Sequence, residues 1–266
     1  MKKVRYILTA FFAVFAFMMA LAAQAAPVYG NIGPPGVFFG TGNVNGNFWS
    51  NTSNGVEVGI RAKNRATLAT IDGADGVYEV AQGLCNPVCS GGNKSKLNYE
   101  ISVNTHAPNG MGAGTLDLTQ VFVQLLVDID PGLGVIWNPI NVLANWADNE
   151  YWNGTSKRVG TLATYAPVAG EFVVQQSANT LFGNAGFFGI LPGPGLYDFK
   201  LNVYDLTNRA KLLSSVQTQV QVVPEPGSLA LFGLGAIGLF VSRRKTTSKD
   251  AFPAVSICTI CAATIP

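Results

Sequence analysis

The chain has 266 residues, a formal net charge of +2 and only 12% charged residues. Seven of its seventeen basic residues lie in the terminal segments 1–25 and 223–266, so the body between them has ten basic and thirteen acidic residues, a net charge of −3. This balance argues against nucleic acid as a partner, because phosphate backbones are bound by basic surfaces. About 200 residues suffice for one domain with its own core.

The N-terminus has the three-part pattern of a secretory signal peptide. Residues 1–5 are basic, residues 6–21 are apolar, and the small residues that follow suit a signal peptidase. The sequence therefore predicts a signal peptide over residues 1–25 and export of the remainder. An N-terminal membrane anchor is the weaker alternative, because an Ala-x-Ala site follows the apolar run at once.

The body, residues 26–222, alternates apolar and polar residues with a period of two, which is typical of half-buried strands. Short strands between turns rich in Gly, Asn and Pro predict an all-β fold, a single antiparallel β-sandwich of jelly-roll-like form. Residues 41–55 and 178–195 have the composition of loops. The predicted strands are 56–62, 77–81, 97–104, 118–129, 159–165, 171–176, 197–204 and 216–222, with one short helix near 140–147.

Two cysteines lie in the body, Cys85 and Cys89, on either side of an Asn-Pro turn. In an exported protein, such a close pair most simply forms one local disulfide. A zinc site needs more ligands than this segment offers, since the one histidine of the chain is His106.

Asp128 and Asp130 lie two residues apart at the end of a predicted strand, before a Pro-Gly turn. Residues two apart in a strand share a face, so the two carboxylates could supply oxygen ligands to calcium. The alternative is a turn that ends the strand, because the loop lacks the further acidic positions of an EF-hand. No other cofactor is expected.

Trp137, Trp146 and Trp152 lie close together in the sequence, among acidic and amide residues. Aromatic faces bordered by polar groups suit a sugar-binding surface, which stacks the apolar faces of sugar rings. The other interpretation is that these side chains anchor the core between two sheets.

The C-terminal segment, residues 223–245, has a polar box, a short apolar run and a basic cluster. Residues 226–242 number 17, about 25 Å as a helix at 1.5 Å per residue, barely enough to cross a membrane of about 30 Å. The positive-inside bias would hold the basic end in the cytoplasm. In order, the segment contains Pro224, Glu225 and Pro226, then an apolar Gly-rich run, then Arg243, Arg244 and Lys245.

This order of parts resembles the PEP-CTERM sorting signal of Gram-negative bacteria, also catalogued as the C-terminal segment of ice-binding-type proteins. The resemblance implies processing at the box by an exosortase-type membrane transpeptidase. It also implies an intermediate at the inner membrane and a final location at the cell surface or in the extracellular matrix. A plain membrane anchor and a buried core helix are the alternatives. Residues 246–266, which contain Cys258 and Cys261, are expected to be a disordered tail.

The body also resembles PEP-CTERM proteins without an assigned activity, in residues 55–63, 128–132, 145–149 and 195–199. It lacks the Gly-x-Ser-x-Gly and phosphate-loop motifs, and we expect no enzyme activity. The leading hypothesis is an exported surface or matrix protein associated with exopolysaccharide. The alternatives are a carbohydrate-binding module, with or without calcium, and a secreted glycan-active enzyme.

Overall fold

The computed structural model describes residues 26–225 except 40–43, 86–88, 90–92, 108–115, 133, 147, 184 and 188, and it also describes residues 227, 231, 233–235 and 237–239. The predicted signal peptide and the predicted tail, residues 1–25 and 246–266, lie outside the described residues. So do Pro226, Arg243, Arg244 and Lys245. The chain divides into two units at the bond between Pro224 and Glu225.

The first unit is rich in strands, as the alternating pattern predicts. One short helix, α1 (Val142–Asn145), and a 3-10 helix (Leu118–Gln120) accompany the strands. The strands in the described residues are β1 (Val28–Gly30), β2 (Phe48–Ser53), β3 (Val56–Asn64), β4 (Val77–Ala81), β5 (Leu97–Asn104), β6 (Val121–Asp128), β7 (Trp137–Asn141), β8 (Glu150–Trp152), β9 (Lys157–Val159), β10 (Val173–Asn179), β11 (Gly195–Asp205) and β12 (Leu212–Val223).

The strands form two sheets. The seven-stranded sheet has the order β1-β2-β3-β5-β10-β8-β9, and the five-stranded sheet has the order β4-β12-β11-β6-β7. The prediction of an entirely antiparallel arrangement is wrong at one position, because β4 pairs with β12 in parallel. These two strands are far apart in the sequence, and a parallel pair requires a long connection rather than a hairpin.

The apolar faces of the two sheets pack against each other, and the core lies between them. Tyr99 of the seven-stranded sheet meets Phe199 of the five-stranded sheet with ring centroids 5.1 Å apart. Val58, Ile101 and Leu201 are completely buried in the same core. A mostly β body with two sheets therefore agrees with the predicted fold class, whereas the jelly-roll form stays a prediction.

Two local expectations were wrong. Residues 41–55 have the composition of a loop, yet Phe48–Ser53 forms β2 and pairs with β3 along its length. Residues 159–165 have a strand-like pattern, but only Lys157–Val159 is a strand, and the chain then turns through a hydrogen bond from Thr164 N to Thr161 O. In both segments, whether a strand forms depends on pairing with a neighbouring strand more than on local composition.

The outer face of the seven-stranded sheet is polar and nonetheless buried. A segment that we call the strap, residues 31–39 and 44–47, lies against it through hydrogen bonds to strand side chains. Glu57 accepts from Gly33 N at 3.0 and 3.1 Å, and the amide of Gln175 donates to Gly36 O at 2.7 Å. The polar positions that the sequence pattern assigns to solvent therefore hold a second layer of the chain.

An ion cluster lies beneath the strap. Glu100 on β5 accepts from Arg61 Nε at 2.7 Å and lies 3.3 Å from Lys63 Nζ, and all three side chains are at most 5% exposed. Arg61 Nη1 also donates to the carbonyl oxygens of Val44 and Gly46 at 2.8 and 2.7 Å. The cluster thus joins two adjacent strands to the strap.

We predict that Glu100→Gln lowers the free energy of unfolding by about 3–5 kcal/mol, because it leaves two buried cations without their counter-charge. Denaturant unfolding of the exported chain measures this loss. Glu79→Gln is the control, since Glu79 is an exposed carboxylate on β4. An equal effect of the two substitutions would contradict a stabilising role for the cluster.

A second prediction concerns Glu57, since burial raises the pKa of its carboxyl above the ordinary value of 4.5, against the lowering effect of the bond from Gly33 N. At pH values between the ordinary pKa of a Glu carboxyl and the raised pKa of Glu57, the folded chain binds more protons than the unfolded chain. Its free energy of unfolding therefore falls as the pH rises through this window. We expect Glu57→Gln to remove this fall. Unfolding measured below and above pH 4.5 tests it, and identical pH profiles for the two chains would be the contrary result.

Candidate functional site

The box of the C-terminal segment, which begins with Pro224, directly follows the last strand of the body. Strand β12 continues to Val223, Val222 is 2% exposed, and Val223 O accepts from Gln82 N at 2.7 Å. Pro224 is exposed and, like Glu225, lies in neither a helix nor a strand. The body therefore needs the chain up to Val223 for its core and sheet, whereas Pro224 and Glu225, the described residues of the box, are not part of any strand.

The described residues of the second unit beyond Glu225 are helical. Leu231, Leu234 and Leu239 are 76%, 67% and 70% exposed, so these described helical residues present apolar side chains to the surface. None of the helices in the described part of the chain has both the length and the apolar character of a membrane span. The predicted membrane segment, residues 226–242, includes residues outside that part.

Cys85 and Cys89 form a disulfide, as the sequence predicts, with Cα atoms 5.5 Å apart. The bridge closes a loop of only five residues on the connection between β4 and β5, next to the bond from Cys85 N to Lys94 O. Its structural effect is therefore confined to this turn.

Asp128 and Asp130 shape the turn after β6. Asp128 is completely buried, and its Oδ1 accepts from Asp130 N and Ile136 N at 3.0 and 2.9 Å. Its Oδ2 has no hydrogen-bond partner among the described residues, and Asp130 Oδ1 accepts from Gly132 N. The residues that the structure describes contain no group of three or more His, Cys, Asp or Glu arranged to hold a metal ion, and calcium binding here stays a prediction.

The three tryptophans do not form one surface. Trp146 is 2% exposed and packs in the core near Tyr99, so assigning it to a ligand surface was wrong. Trp137 is 36% exposed on β7 of the five-stranded sheet, and Trp152 lies on β8 of the other sheet, 6.0 Å from the Phe38 ring. Sequence proximity predicts a cluster, but Trp137 and Trp152 lie on strands of different sheets and Trp146 follows the short helix α1.

A cleft of about 320 Å³, which we call the outer-face cleft, lies on the outer side of the seven-stranded sheet, beside the strap. Its floor includes Lys63, Asn98, Glu100 and Ser177, from three adjacent strands. The surrounding residues are Phe39 of the strap, Arg65, Leu68, Lys94, Asp148, Glu150, Val159, Gln176 and Phe182. Polar groups from separate parts of the chain therefore converge in one depression, which is more polar than the mostly apolar lining typical of small-molecule sites.

Internal contacts occupy the carboxylates of this cleft. Glu100 pairs with Arg61 and Lys63, Glu150 Oε2 lies 2.8 Å from Lys157 Nζ, and Asp148 accepts from Gln176 Nε2 at 2.7 Å. Fixed side chains of this kind present an ordered set of hydrogen-bonding groups to a ligand.

This cleft is not predicted from the sequence, because the alternating pattern assigns the polar face of the strands to solvent. A signal was present nonetheless. Arg61 on the predicted strand 56–62, Lys63 directly after it and Glu100 on the predicted strand 97–104 are opposite charges at polar positions of the alternation. Opposite charges at such positions are favourable neighbours across a strand pair and could have indicated a covered face.

The chain thus consists of a two-sheet β body followed by a distinct C-terminal segment. Residues 222–245 match the family model of the PEP-CTERM protein-sorting motif. This chain carries that sorting motif, as its box, apolar run and basic cluster predict. The curated proteins include no match to the sequence.

We predict that the double substitution of Cys85 and Cys89 by Ser lowers the free energy of unfolding by at most about 2 kcal/mol, because a short loop restricts the unfolded chain little. Chemical unfolding of the variant tests this limit, and wild type under reducing conditions is the matched control. Alkylation and mass measurement report the oxidation state. Two free thiols in the exported protein would contradict the disulfide.

Proposed function

We propose that this chain is an exported cell-surface or extracellular-matrix protein that associates with exopolysaccharide and has no catalytic role. The observation that carries the proposal is the sorting motif at residues 222–245. The motif implies export and handling by an exosortase, which is a membrane enzyme. The absence of a catalytic role rests on the sequence, which lacks the hydrolase and phosphate-loop motifs.

The fold supports removal of the segment after export. Since β12 ends at Val223, cleavage within the box leaves every strand of the body complete. Cleavage before Val222 would remove a core side chain and the carbonyl bonded to Gln82. In this proposal, the apolar run holds an intermediate at the inner membrane with Arg243 and Arg244 in the cytoplasm, and processing then releases the body of a Gram-negative surface protein.

A carbohydrate-binding body is the second candidate function, and the outer-face cleft favours it. The cleft combines the Phe182 ring, which is 41% exposed, with amide, hydroxyl and charged groups, whereas Phe39 is only 3% exposed. Aromatic faces stack against sugar rings while polar groups bond the hydroxyls. Carbohydrate binding is compatible with a role at the cell surface and requires no catalytic activity of the body.

We predict that replacing Pro224, Glu225 and Pro226 by Ala leaves the protein bound to the membrane with its C-terminal segment uncut. The reason is that a residue before proline is held extended, and an extended segment is what a processing enzyme binds. Fractionation and mass measurement of the C-terminus, in a host with the cognate exosortase, report the outcome.

The matched control replaces three residues of an exposed turn, Thr161, Leu162 and Thr164, by Ala. This variant should be processed and released as the wild type is. Replacement of Arg243 and Arg244 by Glu should reduce retention at the membrane. Normal release of the box variant would overturn the assignment of processing to the box.

A further inference from the structure

The outer-face cleft has a size and lining suited to a small polar ligand. Its volume of about 320 Å³ is at the lower end of the range of roughly 300–1,000 Å³ for small-molecule sites. Phe182 is 41% exposed at its rim, and Asn98 and Ser177 are joined by a hydrogen bond of 3.1 Å on its floor. A single sugar unit with one apolar face and several hydroxyls matches this combination.

The lining of the cleft is balanced in charge. Its cations are Lys63, Arg65 and Lys94, and its carboxylates are Glu100, Asp148 and Glu150. These carboxylates contact other residues of the body: Glu100 contacts Arg61 and Lys63, Glu150 contacts Lys157, and Asp148 accepts from Gln176. None of these contacts involves Arg65, whose positive charge favours an anionic ligand beside it.

Arg65 is a cation of the cleft that is available to a ligand. Its backbone is fixed by a bond from its N–H to Lys96 O at 2.7 Å. Among the residues that the structure describes, no side chain forms a hydrogen bond or an ion pair with its guanidinium, which is half-buried at the cleft. A planar guanidinium in this state binds a carboxylate in bidentate form.

From these observations we infer that the outer-face cleft binds a carboxylate-bearing sugar unit, a uronic acid residue of an acidic glycan, with Arg65 as the partner of the carboxylate. Phe182 contacts the apolar face of the ring, and the hydroxyl of Ser177, which Asn98 Nδ2 holds in place, bonds a sugar hydroxyl. The inference rests on the second candidate function, glycan binding by the body, and it specifies the ligand class.

The experiment is titration calorimetry of the exported chain, purified in detergent with its C-terminal segment attached. The probes are oligomers of galacturonate, mannuronate and glucuronate, each compared with its methyl ester, which masks the carboxylate and keeps the hydroxyls. We expect at least one acid oligomer to bind, and its methyl ester to bind about 10-fold or more weakly, the effect of losing one charged hydrogen bond. Added salt should weaken binding of the acid form.

Arg65→Gln should reduce the affinity for the acid form to that of the ester, and Phe182→Ala should weaken both forms. The matched control is Arg209→Gln, because the Arg209 guanidinium lies 4.5 Å from the Phe122 ring on the other sheet, and it should change nothing. Thermal unfolding confirms that each variant is folded.

Equal binding of acid and ester, or an unchanged affinity of Arg65→Gln, would overturn the inference while leaving glycan binding in place. No binding of any oligomer would overturn both. Neither result would affect the sorting proposal, which is tested in cells by processing of the box.

Discussion

The buried contact between Glu100 and the two cations of β3 is the constraint on which the outer half of the body depends. Burying ions is costly, and the cost is met only when charges and hydrogen bonds are matched. Arg61 meets this condition by binding Glu100 on one side and two strap carbonyls on the other, with its guanidinium 4.2 Å from the Phe48 ring. The contact holds β3, β5 and the strap in one arrangement, and Phe39 of that strap borders the outer-face cleft.

The alternating pattern was sufficient to predict several of the strands that build the core, but not β7 and β8, which contribute Ile140 and Tyr151. Residues 97–104 and 77–81 correspond to β5 and β4 as predicted, because their apolar positions are fixed by one buried face. Local sequence could not predict β2 or the parallel placement of β4, since both depend on partners distant in the chain. The cleft was missed for a related reason: a polar face looks the same in sequence whether water or another segment covers it.

The sorting segment was predictable because its function is encoded in local order rather than in tertiary contacts. A box, an apolar run and a basic cluster are recognisable without a fold, and residues 222–245 match the sorting motif. Tryptophan spacing was misleading by contrast. Trp146 and Trp152 are close in sequence, yet one is in the core and the other lies on a short strand near the sheet edge. The order of residues along the chain was sufficient to recognise a sorting signal, but it did not show which side chains share a surface.

The position of β12 also has a consequence for when the body can fold. This strand lies between β4 and β11 in the five-stranded sheet, next to the edge strand β4, although it is the last strand of the body. Neither β4 nor β11 has its β12 partner until the chain up to Val223 has emerged from the membrane. Only six residues separate β11 from β12, whereas the pairing of β4 with β12 joins distant segments and forms slowly, because a long loop must close first. The five-stranded sheet is therefore completed only when the chain has been exported as far as the sorting segment. A chain arrested earlier in export presents unpaired strand edges to proteases and chaperones.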